Sequence, residues 1–337
     1  MTMQRIVLAA RPQSAPLPEH FRLESAPLPS PEGGQFLART IWLSLDPYMR
    51  GRMSAAKSYA KPVEIDETMQ GGCVAEVMAS RHPDFAAGDV VLAPLGWVSH
   101  GLSDGTGVIK LDAAIAPLST ALGVLGMPGL TAWVGLNDIA AALPGETIVV
   151  SAATGAVGSL VSQLAKRKGM RVIGLAGGAE KCRSAVAEFG CDICLDHRAE
   201  NLADQISAAA PQGVDVYFEN VAGKSLEAVL PNLKTHARIA LCGMIAWYSG
   251  ASNPPPAPLV WGAILRQRLT VRGFIIFDHY HRLPDFLAEV APLVRNGAIA
   301  YRESIAHGLE NAPAAFLSML NGGNFGKQLV RVGPDPA

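Results

Sequence analysis

The segment from Thr147 to Lys168 constrains this chain most. An apolar run, Thr147-Ile-Val-Val-Ser151, leads into the turn Ala152-Ala-Thr-Gly155-Ala-Val-Gly158, and Ser159-Leu-Val-Ser-Gln-Leu-Ala165 continues with helical spacing. Between a parallel strand and a helix, one glycine lets the backbone approach a ligand and another lets the helix pack close to the sheet. The unpaired N–H groups of the helix start then face an anion. Gly155 and Gly158 stand at those two positions, while Ala153 replaces the first glycine of the usual G-x-G-x-x-G. As a bare pattern the match is weak, and the strand before and helix after it raise it above an ordinary turn.

The surroundings agree with that reading. After Leu122 apolar strands alternate with helical stretches, the pattern of a parallel sheet covered by helices on both faces. The strand candidates are Thr147–Ala152, Arg171–Leu175, Ile193–Asp196, Val214–Glu219, Arg238–Cys242 and Leu269–Ile276. Helical candidates are Gly158–Lys168, Ala179–Glu188, Asn201–Ala209, Ser225–Leu233 and Pro258–Gln267, the last preceded by a stiff proline-rich spacer from Asn253. From Ile6 to about Ile115 short alternating apolar runs between Pro and Gly read instead as antiparallel β structure. Beyond Ala300 a strand-like stretch, a helix at Ala312–Leu320 and a strand at Lys327–Val332 are expected to rejoin that first part. At 337 residues two domains are expected. We place them at residues 1–125 with 300–337, and at 126–299.

Charge excludes some partners. With 28 Lys and Arg against 29 Asp and Glu, the net charge of -1 gives no general pull toward nucleic acid or an anionic membrane, so any basic site must be local. No apolar run approaches the length of a membrane helix, and Ile6–Ala10 is too short for a signal-peptide core, so a cytoplasmic protein is expected. The five cysteines are scattered and odd in number, and Cys191 with Cys194 lie in a strand-like stretch, which predicts reduced, buried thiols.

A dinucleotide fold that prefers NAD carries an acid about 20 residues beyond its glycine turn, on the ribose hydroxyl. This chain has Leu175-Ala-Gly-Gly178 there, with Lys181 and Arg183 after it and His197 and Arg198 at the end of the next strand. Cations in place of a carboxylate predict NADPH. The His, Cys and carboxylate spacings suggest no metal site. The spacing of His279 and His281 would put both side chains on one face of a strand, but no third ligand stands nearby, and a loop or rim role is the stronger reading. A metal-free carbonyl chemistry needs a hydrogen-bond donor for the oxygen that gains charge. Tyr248, a few residues past a parallel strand, is a candidate, and Tyr48 and Arg50, in Asp46-Pro-Tyr-Met-Arg50, could face it from the other domain. For Tyr48 a structural role is at least as strong a reading.

Seven stretches together resemble the zinc-independent medium-chain dehydrogenase/reductases, in the leukotriene 12-hydroxydehydrogenase/15-oxoprostaglandin 13-reductase branch and nearest its bacterial curcumin reductases. They are Leu45-Asp-Pro-Tyr-Met-Arg50, Gly126-Met-Pro-Gly-Leu-Thr-Ala132, Ala152-Ala-Thr-Gly-Ala-Val-Gly158, Ala176-Gly-Gly-Ala-Glu-Lys181, Glu219-Asn-Val-Ala-Gly223, Glu310-Asn-Ala-Pro-Ala-Ala-Phe316 and Asn324-Phe-Gly-Lys327. The resemblance implies a GroES-like domain around a Rossmann domain, and hydride transfer from NADPH to the β-carbon of an α,β-unsaturated ketone or aldehyde. It implies pyrophosphate contacts at Gly155, Ala156, Val157 and Gly158, and phosphate contacts at Lys181, His197 and Arg198. Asn220, Cys242, Gly243, Phe274, Ile275, Ile276 and Asn324 would hold the rest of the dinucleotide, with Tyr248 beside the nicotinamide and the enolate oxygen. A homodimer pairing along residues 270–277 is implied as well. Two departures stand out: Asp196-His-Arg198 where many members have Asn-Tyr-Lys, and Ala222 where they have glycine. A quinone oxidoreductase and a non-catalytic NADPH-binding protein are the alternative readings.

Overall fold

The computed structural model describes residues 2–248 and 257–336, with side chains after 258 in the second stretch. The proline-rich spacer lies outside the described residues up to Pro256. Two compact units emerge. One takes the chain up to Gly123, Tyr248 and everything from Glu303, and the other takes Val124–Trp247 and the stretch ending at Arg302.

In the first unit β1 (Thr2–Leu8) and β2 (Phe21–Pro27) form an antiparallel hairpin. The larger sheet is built on β3 (Phe36–Ser44), which is buried along most of its length and pairs with β4 (Cys73–Ser80). The short strands β5 (Val90–Ala93), β6 (His100–Ser103) and β7 (Ile109–Lys110) extend it. Just after β3, a single helical turn, α1 (Met49–Arg52), follows the Asp46-Pro-Tyr48 turn. The core here is aromatic. Phe21 stacks on Trp97 at 5.7 Å, and Phe316 meets Trp97 edge-on at 5.6 Å, a packing that favours one arrangement of rings.

The second unit begins with α2 (Met127–Val134), and then strand and helix alternate. The order is β8 (Thr147–Ser151), α3 (Gly158–Arg167), β9 (Arg171–Ala176), α4 (Ala179–Ala187), β10 (Ile193–Asp196), α5 (Leu202–Ala209) and β11 (Val214–Glu219). It continues with α6 (Gly223–Val229), β12 (Leu233–Leu241), α7 (Ala257–Gln267), β13 (Thr270–Gly273) and α8 (Leu283–Arg295). The six strands are parallel in the order β10-β9-β8-β11-β12-β13. Counted within the unit this is 3-2-1-4-5-6, the doubly wound Rossmann order, whose ligand crevice lies beyond the carboxyl ends of the first and fourth strands. The chain then returns to the first unit. There β14 (Glu303–His307), α9 (Ala312–Leu320) and β15 (Lys327–Arg331) follow, and β15 pairs with β3. Among the described residues no helix is long and apolar enough to cross a membrane.

The structure departs from the sequence reading in three places. The last parallel strand ends at Gly273 rather than Ile276, and residues Ile276–Arg282 form a tight 3₁₀ turn. His279 and His281 lie in this turn, in keeping with a loop role, with their rings 6.3 Å apart. β12 starts at Leu233, before the expected Arg238, because His236 takes a left-handed φ of 65° and lets the strand continue through an irregular register. Finally, α2 and α8 were not anticipated. Each opens with a proline in its first turn, where the missing N–H has no helical partner to lose.

Candidate active site

At the carboxyl end of β8 the chain reverses through Ala152, which carries the turn's left-handed conformation at φ 49°. Gly155 N–H donates to the Ala152 carbonyl at 2.9 Å, which closes the turn. The N–H groups of Ala156, Val157 and Gly158 donate to no backbone carbonyl among the described residues, and α3 begins at Gly158. These are the donors that a pyrophosphate would use. A Cβ on Gly158 would overlap the Ala152 carbonyl oxygen and lie 2.9 Å from its carbon, so only glycine allows α3 this close to the strand. The missing first glycine is explained by packing, because the buried Ala153 methyl fills the space that Gly174 on β9 leaves open.

The next two turns carry the cations. Gly178, in a left-handed conformation at φ 90°, precedes α4, which bears Lys181. His197 and Arg198 follow β10 and reach back over this turn. A Cβ on Gly177 would sit 3.0 Å from His197 Nε2 and 3.2 Å from Arg198 Nη2. Lys181 holds its proton less tightly than usual, because burial and then the Arg198 charge disfavour its cationic form. Burial also lowers the His197 pKa more than Asp196 raises it, with Arg198 and Lys181 adding to the lowering. Lys181 and His197, whose cationic forms burial and the neighbouring charges disfavour, stand with Arg198 at the ends of two adjacent strands and form a site that an anion would relieve.

Across the switch point lies a group that sequence reading missed. Glu219, at the end of β11, is buried, and burial raises its pKa. Its Oε1 accepts from Ser151 Oγ at 3.0 Å and from Val221 N–H at 2.7 Å. Ser151 in turn accepts from the Asn220 N–H at 2.8 Å, and the Asn220 side-chain amide donates to the Ser151 carbonyl at 2.8 Å. The Glu219 carbonyl takes the N–H groups of Cys242 (2.9 Å) and Gly243 (3.1 Å). Asn220, Cys242 and Gly243 are therefore fastened to the ends of β8, β11 and β12 through one residue. A lone Glu in an apolar strand is the signal that would have found it.

Ala222 lies at the end of the same turn, buried, at φ 67° and ψ -156°, a region that glycine occupies freely and alanine does not. Ala222→Gly is expected to stabilise the protein by about 1 kcal/mol, since the relieved strain exceeds the entropy that glycine costs. A higher midpoint in urea unfolding would show it, and a lower one would mean that the methyl's packing outweighs the strain.

Phe274, Ile275 and Ile276 follow β13, and a Cβ on Gly135 would press against the rings of Phe218 and Phe274. The other named residues belong to the first unit. There Asn324 donates from its side-chain amide to the Gly326 carbonyl at 2.8 Å, and Tyr48 precedes α1. Asp46 and Lys327, from two of the quoted stretches, form a buried ion pair at 2.7 Å. Among the described residues no three His, Cys, Asp or Glu side chains gather in a way that could hold a metal ion.

This geometry can be set against known proteins. Residues 4–111 match a family described as the N-terminal domain of oxidoreductase, and residues 156–292 match one described as zinc-binding dehydrogenase. The NADPH-dependent curcumin reductase of Escherichia coli is 50% identical over 336 residues, covering 98% of this chain and 97% of that protein. The chain belongs to the zinc-independent medium-chain dehydrogenase/reductases. Prostaglandin reductase 1 of Rattus norvegicus is 41% identical, covering 94% of this chain and 95% of that protein. The structure of CurA from Vibrio vulnificus in complex with NADPH superposes with a TM-score of 0.94 at 49% identity, covering 98% of this chain and all of that one. Membership explains the Rossmann strand order, and the crystallised relative shows that such a chain holds NADPH.

Proposed function

We propose that this protein is a cytoplasmic, homodimeric, NADPH-dependent reductase of the C=C bond in α,β-unsaturated ketones and aldehydes. The observation that carries the reading is the Lys181, His197 and Arg198 cluster over Gly177 and Gly178. It stands in a chain half identical to a curcumin reductase and 40% identical to a 2-alkenal reductase from Nicotiana tabacum. Bound NADPH supplies the hydride. The protein's own work is to hold the 2'-phosphate with those three side chains and the pyrophosphate with the N–H groups of Ala156, Val157 and Gly158, which the turn at Gly155 lets approach. Asn220, Cys242, Gly243, Phe274, Ile275, Ile276 and Asn324 complete the cofactor's contacts in this reading. Tyr248, with Tyr48, is assigned the hydrogen bond to the carbonyl oxygen as negative charge builds there.

The test is NADPH oxidation against a panel of enones, enals and quinones. A protein that binds NADPH but oxidises it with no enone or enal would refute the reading, and a quinone preference would move it to the quinone oxidoreductases. Tyr248→Phe is expected to lower kcat by about a hundredfold, the usual scale for losing one donor to a developing oxyanion. Full turnover in that variant removes Tyr248 from the role.

The dimer has its own support. β13 pairs only with β12 among the described residues, and all four of its residues are exposed. Val271 on it is 42% exposed, and Trp261 and Leu265 on the preceding α7 are 68% and 79% exposed. An unpaired strand edge beside large apolar side chains is suited to continuing the sheet into a second copy. Val271→Asp is expected to convert the dimer to monomer in light scattering, and an unchanged mass would exclude this edge.

A further inference from the structure

Under the switch point of the second unit, the carboxyl ends of β8 and β11 are joined by one buried carboxyl group. Glu219 is 1% exposed. Its Oε1 holds two donors, the Ser151 hydroxyl and the Val221 N–H, whereas Oε2 is buried and has no hydrogen-bond partner. Side chains two apart on a strand share a face, so Tyr217 stands on the same side of β11, and its buried hydroxyl is unpartnered too. Two orphaned polar atoms in one buried cluster are rare in folded proteins.

The groups that favour a charge on Glu219 are the Ala222 and Val221 N–H groups and the Tyr217 and Ser151 hydroxyls. Burial outweighs all four, so the carboxyl keeps its proton above the ordinary range for glutamate. Tyr217 acts on it from nearby without the geometry of a hydrogen bond. The other titratable groups that face Glu219 are Tyr217 itself and Cys242. Burial raises the tyrosine well above its usual value and pushes the Cys242 thiol up to about 12, so both stay protonated while Glu219 titrates. The strand ends that Glu219 joins carry the cofactor turns. Ser151 leads into the turn whose N–H groups would take the pyrophosphate, and Asn220 and Val221 form the turn on the other side. A negative charge sealed between the two would repel a pyrophosphate through a medium that screens it poorly.

We propose that Glu219 is a positioning residue that serves NADPH binding as the neutral acid, so that its ionisation loosens the Asn220 turn and weakens the hold on the cofactor. This rests on the NADPH site described above. Because the folded chain makes the carboxyl keep its proton more tightly, the neutral form prevails at low pH and the charged form grows as pH rises through the folded value. Affinity therefore falls with rising pH, and by reciprocity NADPH binding draws a proton onto Glu219. His197, whose cationic form a 2'-phosphate would favour, adds a fall of the same sign, so the test must isolate Glu219.

The experiment is calorimetric titration of NADPH into the parent and into Glu219→Gln from about pH 5.5 to 8.5, the range into which burial moves a carboxyl. Gln keeps the Oε1 acceptor and cannot ionise, and every other titrating group is common to both proteins. The ratio of the parent's Kd to the variant's is expected to be near one at low pH and to rise by about tenfold across the range, the scale of one proton taken up on binding. The same rise should appear when both proteins also carry His197→Asn. A ratio that does not change with pH, or a Glu219→Gln Kd already about tenfold weaker at low pH, overturns the proposal. Glu219→Ala, which leaves Ser151 and Val221 without their acceptor, should raise Kd by about tenfold at every pH, and an unchanged Kd removes the positioning role. If Glu219→Gln does not fold, Tyr217→Phe takes its place, since that hydroxyl has no hydrogen bond to lose. Without it the charge on Glu219 is less favoured, so the parent's rise in Kd should move to higher pH, and a rise that stays in place or moves lower overturns the proposal. A protein that binds no NADPH at any pH refutes the cofactor reading itself, whereas one that binds it with a pH-independent ratio refutes only the role of Glu219.

Discussion

Gly158→Ala is expected to raise the Kd for NADPH by about a hundredfold, the equivalent of losing one or two charge-assisted hydrogen bonds. The added Cβ would overlap the Ala152 carbonyl oxygen and stand 2.9 Å from the Ala152 carbonyl carbon and 3.0 Å from Ala153 Cα. All three are backbone atoms at the end of a central strand, so no side chain can move aside. α3 must back away from the sheet, and the N–H groups of Ala156, Val157 and Gly158 move with it. Overpacking of this kind also lowers stability by about 1–3 kcal/mol. Gly155 supplies the control. A Cβ there meets nothing closer than the Ala152 oxygen at 3.2 Å, so Gly155→Ala should fold nearly as well as the parent. Calorimetric titration of NADPH into both variants decides the matter, and an unchanged Kd for Gly158→Ala would mean that the turn does not bind the cofactor.

Lys327→Met is expected to destabilise the first unit by about 3–5 kcal/mol, the usual result of removing one partner from a buried ion pair. Lys327 Nζ donates to Asp46 Oδ1 and to the Leu45 carbonyl, each at 2.7 Å, and the two side chains are only 4% and 8% exposed. Burial lowers the lysine's affinity for its proton, which Asp46 partly restores. Without the ammonium, Asp46 keeps only its bond from Ser44 Oγ, and a buried charge is left without its counter-ion. The double variant Asp46→Asn with Lys327→Met should recover most of the loss, because the penalty comes from the orphaned charge rather than from a missing attraction. Urea unfolding followed by tryptophan fluorescence would show it. A loss below 1 kcal/mol for the single variant would mean that water reaches Asp46 when the lysine is gone.

Much of the second unit was legible in the sequence. Its strands are short apolar runs, its helices are spaced at 3.6 residues, and the bounds of β10 and β11 match expectation to the residue. Those patterns are local and belong to each segment regardless of what it packs against. The same is true of α9, Ala312–Leu320. By contrast, α2 and α8 are interrupted by Pro and Gly, residues that read as loop and are tolerated because of where they fall in the packed structure. The preference for NADPH also needed only the order of residues, since a missing acid and nearby cations can be read off directly.

What the chain alone determined, then, is the class of its sheet, the glycine turn and the sign of the charge beside it, because each depends on neighbours within about 20 residues. Only the tertiary structure decided which distant groups meet. Asp46 and Lys327 pair across 281 positions, and Glu219 ties Ser151 to the turn that holds Asn220. Arg52 came to lie over the rings of Tyr48 and Tyr59. Burial and the choice of partner are properties of the packed chain, and no spacing in the sequence records them.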